Sequence, residues 1–305
     1  MKSKTPVISA SLAPAVFIQR RGAHWHGKPL RTGFLLVFLL YFLLPFLWLL
    51  FAVTKSNADL FSSFGLWFAP HFNLWSNLQD VFTYDNGIFL TWFGNTLLYA
   101  VTSSVGAALL AALAGYVFAK FQFHGKTLLY ASILGAILVP NTALALPIFF
   151  LMSKLQIIDT PWAVILPSLV NPFGVYLMRV YADQSVPEEL LQAARIDGAG
   201  ETRIFWRIAL PIMTPGFITV LLFVFVSTWN NYFLPLVVLS NPQYYPLTVG
   251  LASWNAQASS VGGGDHGLFA LVVTGALVSI SVLILAFLFL QRYWQNGLAM
   301  GGVKA

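Results

Sequence analysis

The 305-residue sequence has no cysteine, which excludes disulfide cross-links and thiolate metal sites and leaves the redox compartment unmarked. Charge is almost as scarce. Only 9% of the residues are Asp, Glu, Lys or Arg, while 58% are hydrophobic, a balance far too apolar for a soluble protein of this length. Acids are the rarest class, ten against sixteen Lys and Arg, and neither they nor the five His fall inside a long apolar run. That absence argues against an ion-coupled secondary transporter, which needs an intramembrane carboxylate or His. It also argues against a membrane enzyme, which needs ionisable groups clustered near one interface. His24 and His26 are two imidazoles in a basic tail and are read as solvated, so no metal site is expected. Gly125-Lys126-Thr127 ends like a phosphate loop, but Lys120 stands where that loop's first glycine belongs, and an apolar run precedes it instead of a strand. No nucleotide site is expected in this chain.

The chain does have long apolar segments, six of them: 33–53, 92–118, 128–152, 163–181, 212–239 and 268–290. Counting Arg179 at the end of the fourth segment, fourteen of the sixteen Lys and Arg fall in alternate connections, and only Lys55 and Lys154 lie in the others. By the positive-inside rule this gives six transmembrane helices with both termini cytosolic, and the net charge of +6 reports topology, not nucleic acid as a partner. The organisation expected is a cytosolic leader at 1–31, a first transmembrane helix at 32–53, an external loop at 54–91, a transmembrane core at 92–290 and a cytosolic tail at 291–305. The external loop is expected to hold short interfacial helices, with Trp67, Trp75 and Trp92 at the membrane boundary.

Within the spans, Ser103, Ser104, Gly106, Ala107, Ala108 and Ala111 form a small face suited to close helix packing against lipid-embedded neighbours. Pro140 and Pro147 break the third span, and Pro167 and Pro172 the fourth. Asn141 and Asn171 sit beside these breaks, either as interhelical glue or as groups lining a path. The fifth span is interrupted by Ser227-Thr228-Trp229-Asn230-Asn231-Tyr232. Aromatic faces stack on sugar rings and amides bond hydroxyls, so Trp229, Asn230, Asn231 and Tyr232 are substrate-path candidates, packing against a partner subunit being the alternative. Residues 240–267 contain no Lys or Arg and carry Gly262-Gly263-Gly264, which reads as an external, flexible loop.

The most polar stretch is 186–211, VPEELLQAARIDGAGETRIFWRIALP. Ser185 is a candidate cap, Pro187 suits a first turn and Glu188 has capping-box spacing, so a helix is expected from about Val186 to Asp197. Leu190, Ala193 and Ala194 share one face of it. Gly198 then stops the helix in a left-handed cap, and a second short run follows from Glu201 to Ile208. The result is a bent helix pair at 186–208, carrying Arg195, Arg203 and Arg207 and shaped to dock in a groove of a soluble partner.

Gln192-Ala193-Ala194, Gly198, Ile208, Leu210 and Pro211 fit the pattern E-A-A-x3-G-x9-I-x-L-P with a single departure, Gln192 in place of the first Glu, while Glu188 and Glu189 lie one turn upstream. This pattern resembles the coupling-helix motif of permease subunits of bacterial ABC importers. LLQAARIDGA is most similar to the carbohydrate-uptake branch, which includes the smaller membrane subunit of the maltose transporter. The resemblance implies an all-α membrane protein with the ABC importer type I permease fold, in the bacterial plasma (inner) membrane. It implies that ATPase coupling runs through Glu188, Glu189, Leu190, Gln192, Ala193, Ala194, Asp197, Gly198, Arg203, Ile208, Leu210 and Pro211. It implies a second permease as heterodimer partner, two cytosolic ATPase subunits that bind ATP and Mg, and an external solute-binding protein. Trp254, Asn255 and Gly262 to Gly264 are then candidates for meeting the binding protein. A different cargo, such as glycerol phosphate or an amino acid, is the nearest alternative.

Overall fold

The computed structural model describes residues 28–260 and 268–301, so the leader before residue 28, Gly262, Gly263 and Gly264, and the last four residues lie outside the described residues. The helices are α1 (Lys28–Ala52), α2 (Asn57–Ser62), α3 (Leu74–Lys120), α4 (Lys126–Ile137), α5 (Asn141–Lys154), α6 (Trp162–Ser168), α7 (Pro172–Ser185), α8 (Glu188–Ile196) and α9 (Glu201–Ile204). A π-helical turn (Phe205–Ala209) leads into α10 (Leu210–Ile212), α11 (Thr214–Trp229) and α12 (Phe233–Val238). A 3-10 turn (Pro242–Tyr244) precedes α13 (Leu247–Ser260) and α14 (Leu268–Gly301). No strand occurs among the described residues.

Four helical stretches are long and apolar enough to cross a membrane: Arg31–Ala52, Leu74–Lys120, Trp162–Ser185 and Leu268–Phe289. Two further pairs pass only when taken together, Lys126–Ile137 with Asn141–Lys154, bent by 109°, and Glu201–Ile212 with Thr214–Trp229, bent by 79°. Counting each bent pair as one crossing gives six. By internal contacts the chain divides after Phe46. Residues 33–46 of α1 are apolar on every side, with Phe34 to Leu44 all exposed, as for a helix whose solvent is lipid.

From Leu47 onward α3 is the axis. It is two helices joined at Tyr84–Gly87, where Asp85, Asn86 and Gly87 have φ of 48°, 57° and 76°, the left-handed region those residue types best tolerate. Beyond that corner α3 packs along α7 and α11. Ser103, Ser104, Ala107, Ala108 and Ala111 are buried, and the three alanines share a core with Met178 of α7 and Val220 of α11. The approach is closest at Gly115, where a Cβ would stand 2.6 Å from the backbone nitrogen of Arg179 and from Cβ of Met178. Gly115→Val is therefore expected to force α3 and α7 apart and destabilise the detergent-solubilised protein by about 1–3 kcal/mol, read as a fall in unfolding temperature.

Each break has a local cause. Asn171 caps α7, its Oδ1 accepting the Gly174 N–H at 2.7 Å with Pro172 in the first turn, so the fourth span stops and restarts. The third breaks at Leu138–Pro140, whereas Pro147 is accommodated inside α5. The expected fifth span ends early, at Trp229, and α12 packs instead against α5 and α6. Residues 240–260 are not a free loop, since α13 lies on α3 and α14. Asp159 ties the α5–α6 turn to the end of α12, its Oδ1 accepting the N–H groups of Ser240 and Asn241 at 2.8 Å each.

Candidate functional site

The helix pair forms at 188–204 with differences at its start. Ser185 is the last residue of α7, not a cap, and Pro187 stands at the start of α8 with no side-chain capping bond. At the other end Gly198 has φ +82°, its N–H donating to the Arg195 carbonyl at 3.0 Å, while the Ala199 N–H donates to the Ala194 carbonyl at 2.9 Å. This pair of bonds is the Schellman closure that a glycine in the left-handed region permits. A Cβ at Gly198 would meet nothing within 4 Å, so the glycine is required by conformation and not by crowding.

Arg195 fixes the angle beyond the turn. Its Nε donates to Glu201 at 2.7 Å on α9 and its Nη1 to Glu188 at 3.3 Å at the start of α8, linking both helices through one side chain. The hydrogen bond with Glu201 holds the guanidinium well above its ordinary value, so the link is not lost through the arginine's proton. The π turn answers Pro211. A proline cannot donate to the carbonyl four residues back and crowds it, and here the Leu210 N–H reaches the Phe205 carbonyl five residues back.

The pair has two faces. Leu191 and Ile204 are fully buried and join Tyr116, Met178, Ala182, Phe205, Ala209 and Met213 in one apolar core, fastening α8 and α9 onto the ends of α3, α7 and α11. Ala194, Ile208 and Leu210 pack partly against the same core. Leu190, Ala193, Ile196 and Asp197 point away and are exposed, as are Glu189, Gln192, Arg203, Trp206 and Pro211, while Glu188 is half-buried. The expected Leu190, Ala193, Ala194 face is therefore divided: Ala194 belongs to the inner side. Ile196, 86% exposed, completes the outer one. The signal for it was the apolar count of α8, since Leu190, Leu191, Ala193, Ala194 and Ile196 cannot all fit one stripe. Trp206, exposed on the π turn, carries no such signal in the sequence.

The substrate-path candidates scatter. Trp229 is 1% exposed, stacked on Phe225 with its Nε1 donating to Ser279 Oγ at 3.1 Å, so it is core. Asn171 is the cap of α7 described above. Asn230 and Tyr232 are exposed where α11 ends, with Asn230 Nδ2 donating to the Val226 carbonyl at 2.8 Å, and Asn231 is half-buried beside them. Asn141 is exposed at the corner of the bent α4–α5 pair. Trp254 is also core, packed on Trp92 at 4.8 Å between ring centroids and on Tyr84 at 5.4 Å, leaving Asn255 exposed on α13. Trp92, expected at the membrane boundary, is buried, with Nε1 donating to the Pro242 carbonyl at 2.9 Å.

Three comparisons bear on this arrangement. Residues 107–298 match the family model described as "Binding-protein-dependent transport system inner membrane component". The chain is 34% identical over 261 residues to the arabinooligosaccharides transport system permease protein AraQ of Halalkalibacterium halodurans, covering 85% of this chain and 90% of that one. It is 31% identical to the maltodextrin transport system permease protein MdxG of Bacillus subtilis, covering 83% and 87%. Among solved structures it superposes with a TM-score of 0.76 and 23% identity on a chain of a bacterial ABC transporter involved in the import of the acidic polysaccharide alginate, covering 88% of this chain and 96% of that one.

Proposed function

Because the chain belongs to the family of binding-protein-dependent transport system inner membrane components, we propose that it is a permease subunit of an ATP-driven importer whose cargo is a sugar or oligosaccharide. The saccharides named for its relatives support the cargo class. The observation that carries the mechanism is the outer face of α8. Leu190, Ala193 and Ile196 form an apolar stripe held in place by the Schellman closure and the Arg195 bridges, yet none of the described residues covers it. Such a stripe fits a groove on a cytosolic ATPase subunit. In this reading two ATPase subunits bind ATP and Mg, a second permease completes the pathway, and an external binding protein delivers the sugar. ATPase closure then moves α8, and the inner face transmits that motion through Leu191 and Ile204 to α3, α7 and α11. Glu189, Gln192, Asp197 and Arg203 are polar contacts around the stripe.

The proposed orientation has both termini in the cytosol and α8 on the same side. Cysteine placed at Thr202 should be blocked from an impermeant thiol reagent applied outside intact cells, and cysteine at Ser259 should react; both native side chains are exposed. The reverse pattern would invert the topology and remove α8 from the ATPase side.

For the pathway, the best-placed groups are Asn230 and Tyr232, exposed at the end of α11, with Asn231 adjoining and Asn141 a further candidate. Tyr232→Leu removes the ring face and the hydroxyl while keeping bulk, so uptake is expected to fall about tenfold with subunit assembly intact, the scale of one lost stacking or hydroxyl contact. Loss of assembly in that variant would make the position a packing site instead.

A further inference from the structure

The connection between α1 and α3 carries a second surface that the described residues leave exposed. Phe61, Phe64, Trp67, Phe68, Phe72 and Trp75 are each between 49% and 76% exposed, and residues 60–79 contain no Asp, Glu, Lys or Arg. The backbone beneath them is stitched down. Lys55, 1% exposed, donates from Nζ to the Phe64 carbonyl at 2.7 Å, Asn77 Nδ2 donates to the Val53 and Lys55 carbonyls at 2.8 and 2.9 Å, and the Asn73 N–H donates to the Thr54 carbonyl at 2.8 Å. The rings are thus presented outward by a fixed frame.

The height of this surface is set by the ends of two membrane-crossing helices. Phe51 in the last turn of α1 packs on Phe68 at 4.8 Å and on Trp67 at 5.9 Å between centroids, while Phe61 meets Phe269 in the first turn of α14 at 5.1 Å. The aromatic patch also meets the end of α1, since Trp48, itself exposed, lies 3.5 Å from where a Gly65 Cβ would stand. A fixed, uncharged, Trp- and Phe-rich surface at the level where two spans end has the chemistry of the headgroup–acyl boundary, in which aromatic side chains concentrate. A groove or rim for a soluble protein would carry more polar complement.

We propose that residues 61–75 are an interfacial anchor that lies in the outer leaflet of the bilayer beside α1 and α14. The choice of leaflet rests on the orientation proposed above, whereas depth is read independently of transport. Because the chain has no native cysteine, Phe64→Cys and Trp75→Cys can each be labelled singly with bimane in the assembled transporter in phosphatidylcholine vesicles. Lipids bearing a nitroxide near the acyl carbonyl should quench both labels about twofold more than lipids bearing it near the chain end, with iodide quenching well below that of the free dye adduct. Iodide quenching equal to the free adduct would overturn the anchor. So would protection from both iodide and nitroxide lipids, which would assign the patch to a protein partner.

Discussion

Gly198→Val is expected to leave the protein inserted in the membrane while cutting ATP-driven uptake about tenfold or more. The glycine sits at φ +82° with open space where a side chain would go, so a substitution creates no collision. What it disturbs is the backbone: a β-branched residue in the left-handed region costs about 1–3 kcal/mol. The two Schellman bonds are the local contacts given up if the chain relaxes, and the Arg195–Glu201 bridge must then span a different angle. Since 1.4 kcal/mol is about a factor of ten in an equilibrium, a cost of this size suffices to depopulate the docking geometry. Gly198→Asn is the control, because Asn tolerates the left-handed region far better. Uptake and ATPase retention close to normal in Gly198→Asn, with both lost in Gly198→Val, would locate the effect in the dihedral.

Ile196→Glu is expected to have the larger effect on assembly, about a hundredfold loss of ATPase binding with unchanged thermal stability. Ile196 contributes almost nothing to this chain's own core, being 86% exposed, so its removal leaves the fold intact. If it fills an apolar groove, a carboxylate there loses the burial of a large aliphatic side chain, about 1.5–3 kcal/mol, and adds the desolvation of a charge. Pull-down of the ATPase subunit reads the first property and an unfolding curve the second. Ala193→Trp should behave like Ile196→Glu, whereas Ala194→Trp should lower stability as well, because Ala194 packs against the core. Gln192→Glu, which restores the family's usual letter at an exposed position, should be mild.

Part of the fold was legible in the sequence. Gly198 could be placed in the left-handed region from sequence because helix-ending glycine followed by a second polar run has few other uses. The six apolar segments followed from hydropathy and the charge split. The sequence misled where a polar or aromatic label was taken for exposure. Trp229 and Trp254 carry an N–H and so look amphipathic, but Trp229 spends its N–H on Ser279, and Trp254 is enclosed by Tyr84, Phe89 and Trp92. Their burial depends on residues far away in sequence, which no local pattern reports. Asn171 was legible as a polar break but not as a cap, since the Asn-Pro pair serves equally in a turn. The division of α8 into two faces was present in its five apolar residues, yet phase alone does not say which stripe meets this chain.

The central claim is that the chain moves a saccharide by coupling α8 to an ATPase, and uptake in vesicles tests it most directly. Vesicles holding this chain with its partner permease and ATPase subunits, and ATP inside, should accumulate labelled oligosaccharide only when the external binding protein is present. Ile196→Glu should abolish that accumulation. Accumulation driven by an ion gradient without ATP, or unaffected by Ile196→Glu, would contradict the account.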